Sequence, residues 1–235
     1  MFRTPVIRRS HKASVQHRIA VAGIAGGCGT SFIAQSVAWK LSSRERCTLA
    51  ELGTPYFYSA LNIQSRFAEK GFEFYEDALS GRKTLYAVRN PYHRLDLFLR
   101  RPQAEGHPSA MCAVKMPGEQ VVFDLSGASG DYLDEVLPEM DSILIVIDPL
   151  PTKLLCGQAR LEKLRMEYPD AELIVNKLNK GVNRQELKRF LGTDRYSAVQ
   201  CLPAELIYKA EYNCILPAEL KGFTEKTQWP ELEKI

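Results

Sequence analysis

Between Ile19 and Phe32 the chain reads IAVAGIAGGCGTSF, an apolar run that breaks into glycine and then resumes as a helical pattern. Gly26, Gly27 and Gly29 fall within four residues. Glycines at this density let a turn close tightly with its N–H groups directed inward. The dipole of the following helix adds partial positive charge, so main chain alone can surround phosphate oxygens. Ser31 would offer its hydroxyl to Mg²⁺ in such a site. A strand-to-helix turn that needs glycine only for packing requires fewer. Zinc chemistry finds no support: Cys28, Cys47, Cys112, Cys156, Cys201 and Cys214 form no CxxC pair, and the four histidines show no HxxxH or HExxH spacing. Isolated cysteines of this kind read as small buried hydrophobes. Cys28 differs, because a thiol just ahead of a helix N-terminus is biased toward thiolate, and its oxidation would block a phosphate site.

A glycine turn of this type works between a strand and a helix, and the surrounding pattern supplies both. Apolar, β-rich segments fall at 18–24, 47–52, 95–99, 120–125, 142–148, 172–176 and 198–202. Helical spacing covers 31–41, with Ser31 placed to cap it, and then 131–139, 151–167 and 183–191. Alternating β and α segments with continuously apolar strands predict an α/β fold, a mostly parallel sheet covered on both faces. The stretch 55–117 is punctuated by Gly81, Pro91, Pro102, Gly106, Pro108 and Pro117, and 100–109 reads as an exposed loop. No internal repeat or linker divides the chain. One domain over 18–221 is therefore expected, with a basic flexible tail at 1–17 carrying Arg3, Arg8, Arg9 and Lys12, and a C-terminal appendage at 222–235.

Across 235 residues, 31 Lys and Arg stand against 28 Asp and Glu, and 45% of residues are hydrophobic. That is ordinary folded-domain composition, and a net charge of +3 does not by itself specify a nucleic-acid or membrane partner. The longest apolar runs fall far short of the roughly 18 residues a membrane span needs. The first residues, MFRTPVIRRSHKASVQHR, carry no apolar core of a signal peptide, so the cytoplasm is the expected compartment.

The order of these features resembles the deviant-Walker P-loop ATPases of the ParA/MinD superfamily, within the SIMIBI class, whose loop reads xKGGxGK[ST][TS]. Gly26, Gly27, Gly29 and Ser31 match, and the resemblance runs from about Arg18 to Pro217. It implies a three-layer sandwich that holds ATP or ADP with Mg²⁺ at Gly26, Gly27, Cys28, Gly29, Thr30, Ser31 and Phe32. It implies Asp124, ending the strand QVVFD, as a carboxylate of the metal's water shell beside Ser31, although an Asp there can also cap the next turn. Glu51 is the retained acidic member of the second strand and would either touch metal-bound water or cap a neighbouring loop. Asn176 would meet the adenine edge with its amide, and the segment Cys201-Leu202-Pro203 would flank the base.

The departures from that pattern carry equal information. Ala25 stands at the signature lysine, Thr30 at the Walker lysine and Phe32 at the second hydroxyl residue. Gly53 occupies the position of the second Asp of the family's DxD, which orients the attacking water. A hydrogen bond to a charged group contributes about 1.5–3 kcal/mol against roughly 0.5–1.5 for a neutral one, so Thr30 does not replace an ammonium. The resemblance thus implies a degenerate Walker A member that binds through main-chain amides with little hydrolysis. In the family ATP joins two subunits, with the signature lysine crossing the interface, so a homodimer here would rest on other contacts. Degenerate members include localisation and assembly factors of Flp/Tad-type pili (TadZ/CpaE-like) and secretion machines, which implies a protein partner in such a complex. Their usual receiver-like N-terminal domain is not expected, since about 17 residues precede the first strand.

Three other readings compete. Gly23-x-x-x-Gly27-x-Gly29 also fits the turn of short-chain NAD-dependent dehydrogenases, with Glu51 on a ribose hydroxyl. That chemistry needs Tyr-x-x-x-Lys, and none of the ten tyrosines has lysine at that spacing. A nucleotide-independent scaffold of the same fold would suit the missing lysines. A DNA-partition ATPase would draw phosphate contacts from the basic tail and from Arg184, Lys188 and Arg189, charges that otherwise read as a solvated tail and helix face.

Overall fold

The computed structural model describes residues 16–67, 74, 86–88, 90–103, 116–220 and 223. The tail cations Arg3, Arg8, Arg9 and Lys12, the thiol of Cys112, and residues 104–109 and 224–235 lie outside the described residues.

Among the described residues eight strands form one sheet: β1 (His17–Gly23), β2 (Cys47–Glu51), β3 (Tyr86–Ala87), β4 (Leu95–Phe98), β5 (Gln120–Asp124), β6 (Ser142–Ile147), β7 (Glu172–Leu178) and β8 (Ser197–Gln200). Their order is β3-β4-β2-β5-β1-β6-β7-β8. Every neighbouring pair is parallel except β3 with β4. The helices are α1 (Thr30–Ser42), α2 (Phe57–Ala60), α3 (Ile63–Arg66), α4 (Gly130–Val136), α5 (Pro151–Glu167), α6 (Arg184–Leu191) and α7 (Ala204–Tyr212). Together they make the mostly parallel α/β sandwich that the strand pattern predicts.

The seven expected strands are present because their apolar runs have no solvated face. From Ile19 to Ala22 and from Leu144 to Ile147 every residue is fully buried. Helix α1 lays Ile33, Ala34, Val37 and Ala38 against β1, β2 and β5, at about 1.5–3 kcal/mol for each large apolar side chain. Helix α5 comes close enough that a Cβ on Gly157 would lie 2.7 Å from Ile24, which brings the start of α5 to the glycine turn.

Several local expectations are corrected. The cap position of α1 is Gly29 in the left-handed region, with no side-chain cap, so Ser31 sits inside the first turn. Arg100 does not open an exposed loop. It is 5% exposed, and its guanidinium donates to the Gly53 carbonyl at 2.7 Å. The stretch after Pro203, where the sequence pattern marks no helix, is helix α7. It buries only Ala210 and leaves Tyr208 and Tyr212 outside, so it lacks the apolar stripe that marks a helix in sequence.

Parallel strands end on the same edge, which collects the chemistry. Val21 and Glu51 both stand opposite Asp124, and Gly23 stands opposite Val146. The glycine turn, Glu51, Asp124, Asp148 and Asn176 therefore leave the sheet side by side.

Candidate functional site

The turn between β1 and α1 is held from outside by three side chains on three successive carbonyls. Lys153 Nζ donates to Gly26 at 2.5 Å, Lys177 Nζ to Gly27 at 2.6 Å and Asn176 Nδ2 to Cys28 at 2.9 Å. Gly27 and Gly29 take positive φ, 77° and 85°. A Cβ on Gly29 would sit 2.3 Å from Asn176 Nδ2, so glycine is needed both for the conformation and for the Asn176 contact. While the carbonyls are tied, the N–H groups of residues 25–31 meet no acceptor among the described residues. Main-chain donors are seldom left unpaired away from water, and all of these residues but Cys28 line a cavity of about 570 Å³, within the usual size range of ligand sites. Ala25, Gly26, Gly27, Gly29, Thr30, Ser31 and Phe32 form its floor. Gln200, Cys201, Leu202, Ile207 and Pro217 form the more apolar far wall.

Asp124 ends β5 fully buried. Its Oδ1 accepts from Ser126 N at 3.0 Å, while no donor reaches Oδ2. Burial pushes its pKa up to about 6, against the opposing pull of the Ser31 and Ser126 groups. A buried carboxylate oxygen without a partner, next to the Ser31 hydroxyl at the foot of an amide-lined turn, is a fitting donor set for the water shell of a hard divalent cation.

Glu51 does not share that task. Its Oε1 accepts from Tyr56 N at 2.5 Å and Phe57 N at 3.0 Å, and its Oε2 accepts from Arg100 N at 3.0 Å. Of its two expected roles the structure shows loop capping. Like Asp124 it is fully buried and does not line the cavity, but unlike Asp124 it has both carboxylate oxygens engaged by main-chain donors. Desolvation raises its pKa to about 7, although the three N–H bonds act in the opposite direction.

Gly53 is enclosed by main chain. Leu52 N and Gly53 N both donate to the Asp124 carbonyl, at 3.0 and 2.9 Å, and Thr54 N donates to Ser126 O at 2.7 Å. The turns after β2 and β5 are zipped together where the resembling family places its water-orienting Asp.

Other expected residues fall out of the site. The Cys28 side chain is fully buried and away from the cavity wall, and only its carbonyl takes part. An oxidant cannot reach it, which removes the basis for a redox role. Pro203 is exposed at the start of α7 and does not line the cavity, whereas Cys201 and Leu202 do. Phe32 lies in the wall and packs edge-on against Phe223, 5.9 Å between ring centres. On α6, Lys188 is paired with Asp194 at 2.7 Å, which partly neutralises the expected basic face. Gln35, Lys153 and Lys177 were not identified from sequence. Gln35 lines the cavity with an unpartnered buried Oε1. Lys177 follows Asn176 directly, but nothing in the spacing brings Lys153 to the turn.

No family model matches the chain, and no curated protein matches it. Solved structures do. The septum site-determining protein MinD of Pyrococcus horikoshii, complexed with Mg-ADP, superposes with a TM-score of 0.67 at 10% identity, covering 90% of each chain. A ParA family ATPase of Chlorobium tepidum gives a TM-score of 0.63 at 15% identity, over 91% of this chain and 95% of that one. MinD of Aquifex aeolicus, in its complex with MinC, gives 0.63 at 13% identity, over 84% and 86%. The carboxyl-edge turn, the parallel sheet and these superpositions together show that the chain has the α/β fold of the ParA and MinD P-loop ATPases.

Proposed function

We propose that the protein binds an adenine nucleotide, ATP or ADP with Mg²⁺, and serves as a regulatory or localisation factor with little or no ATPase activity. The observation that carries this reading is the set of N–H groups of residues 25–31, without acceptors among the described residues, on a turn that lines the cavity except at Cys28, with the orphaned Asp124 oxygen behind Ser31. Those amides would take the phosphates, and Ser31 with Asp124 would hold the metal's water shell. Bound Mg²⁺ would supply charge neutralisation on the phosphates. Asn176 keeps its amide oxygen and second amide hydrogen for the adenine edge, beside Leu202, Ile207 and Pro217.

Low turnover follows from the same residues. Ala25 and Thr30 carry no charge, and Gly53 neither orients water nor accepts a proton. Nucleotide would then act as a ligand that favours one conformation or partner surface, by no more than its difference in affinity between states. A protein partner accords with the MinC complex of the MinD neighbour. The resemblance to degenerate members suggests a pilus or secretion complex as that partner, and a homodimer by contacts other than a crossing lysine.

Calorimetry with Mg-ADP and Mg-ATP beside a turnover assay tests this. Saturable binding with turnover far below an intact ATPase of this fold is expected, and turnover at the intact rate would overturn the degenerate-site reading. The tethering of the turn by Lys153, Lys177 and Asn176 holds its shape without a ligand and favours a second reading, a nucleotide-independent scaffold. Absence of binding at millimolar nucleotide selects it.

A further inference from the structure

The two lysines on the glycine turn come from outside it, and one is held there by an unusual backbone. Lys177 lies within β7 at φ 59°, a left-handed conformation that costs a non-glycine residue energy. The register between β7 and β8 shifts between Val175 and Leu178. Successive side chains of a regular strand point to opposite faces. The irregularity instead turns Asn176 and Lys177 toward neighbouring carbonyls of the same turn, Cys28 and Gly27. Lys177 lines the cavity, and its second bond is to the buried carboxylate of Asp148 at 2.7 Å. Lys153, in the first turn of α5, has no carboxylate partner among the described residues and spends one of three N–H donors on Gly26. Two ammonium groups thus converge on a turn that itself carries none, since Ala25 and Thr30 are uncharged.

We propose that Lys153 and Lys177 supply, from α5 and β7, the positive charge on a nucleoside di- or triphosphate that the turn itself lacks. Asp148 is the intramolecular competitor that holds Lys177 until phosphate arrives. An ammonium has three donors and no acceptor, so Lys177 in the cavity wall can keep its carbonyl and still donate to a phosphate oxygen, while Lys153, whose Nζ would lie 3.4 Å from a Cβ on Gly27, adds positive charge just behind the turn. The inference rests on the phosphate-binding reading of the turn.

Titration of fluorescent ADP and AMP analogues, with thermal melting of each protein, tests it on the full chain. Lys153→Met and Lys177→Met are each expected to weaken ADP on the order of tenfold or more. They should weaken AMP less, so the ADP-to-AMP affinity ratio falls. Asp148→Asn, which keeps the oxygen that accepts Leu150 N, is expected to tighten ADP several-fold by releasing Lys177. Wild-type affinity in the double methionine variant overturns the inference and leaves the site reading intact. So does a proportional loss of ADP and AMP, the mark of lysines that only brace the turn. If a methionine variant does not fold, Asp148→Asn decides alone, and unchanged or weaker ADP binding is then the negative result. Wild-type protein that binds no nucleotide removes the site reading and this inference together.

Discussion

A Cβ built on Gly53 would lie 2.0 Å from the carbonyl oxygen of Ser126, so the turns after β2 and β5 meet through main chain alone. The position that the family resemblance aligns with a water-orienting Asp is therefore closed to any side chain, not merely lacking the right one. Gly53→Asp is expected to destabilise the protein by about 3 kcal/mol or more, since the clash is with backbone that cannot rotate away. It should not restore hydrolysis. Urea unfolding with a phosphate-release assay checks both, and a stable variant that gains turnover would refute the closed-site view.

Gly29 meets a different constraint. Alanine there must adopt φ 85° and place its methyl on Asn176 Nδ2, at a cost of at least about 1–2 kcal/mol for the left-handed backbone alone. Gly29→Ala should lower the melting temperature and abolish nucleotide binding, because the carbonyl that anchors the turn to β7 is displaced. Gly130→Ala is the control, as its Cβ would meet nothing within 4 Å and it lies outside the cavity wall. If both variants bind ADP like wild type, the turn is not the site.

Asp124→Asn separates metal from phosphate. The amide retains an oxygen for Ser126 N but brings no charge to the metal's water shell. The expected result is a protein whose ADP affinity no longer changes between Mg²⁺ and EDTA, measured calorimetrically. An undiminished Mg²⁺ effect would move the metal elsewhere.

Glu51 makes stability pH-dependent. Its folded pKa of about 7 lies above the ordinary value of 4.5, so the folded state holds the proton more tightly than the unfolded chain. The contribution is fully present below pH 4.5 and is lost as pH rises through 7, by at most roughly 3 kcal/mol. Glu51→Gln forfeits the carboxylate's bond to Arg100 N but carries no such penalty. Its stability relative to wild type should improve between pH 5 and pH 8 in urea titrations. A difference constant across that range would show that Glu51 stays ionised when folded.

Much of the architecture was readable from local pattern. Strands buried on both faces must be apolar throughout, so 19–24 and 143–147 announced strands of a doubly covered sheet, and three glycines before a helical pattern announced a tight strand-to-helix turn. That Ala25, Thr30 and Gly53 carry no charge was equally visible, because charge is a property of residue type. What surrounds those residues depended on contacts up to 150 positions apart. Only folding brings Lys153 and Lys177 onto Gly26 and Gly27, buries Arg100 against Gly53, commits Glu51 to main-chain capping and seals Cys28 inside. Periodicity reports which face of an element is apolar. Which donor reaches which carbonyl across a parallel sheet is set by strand order, by the irregularity at Lys177 and by the close approach of Gly157 to Ile24, and these exist only in three dimensions.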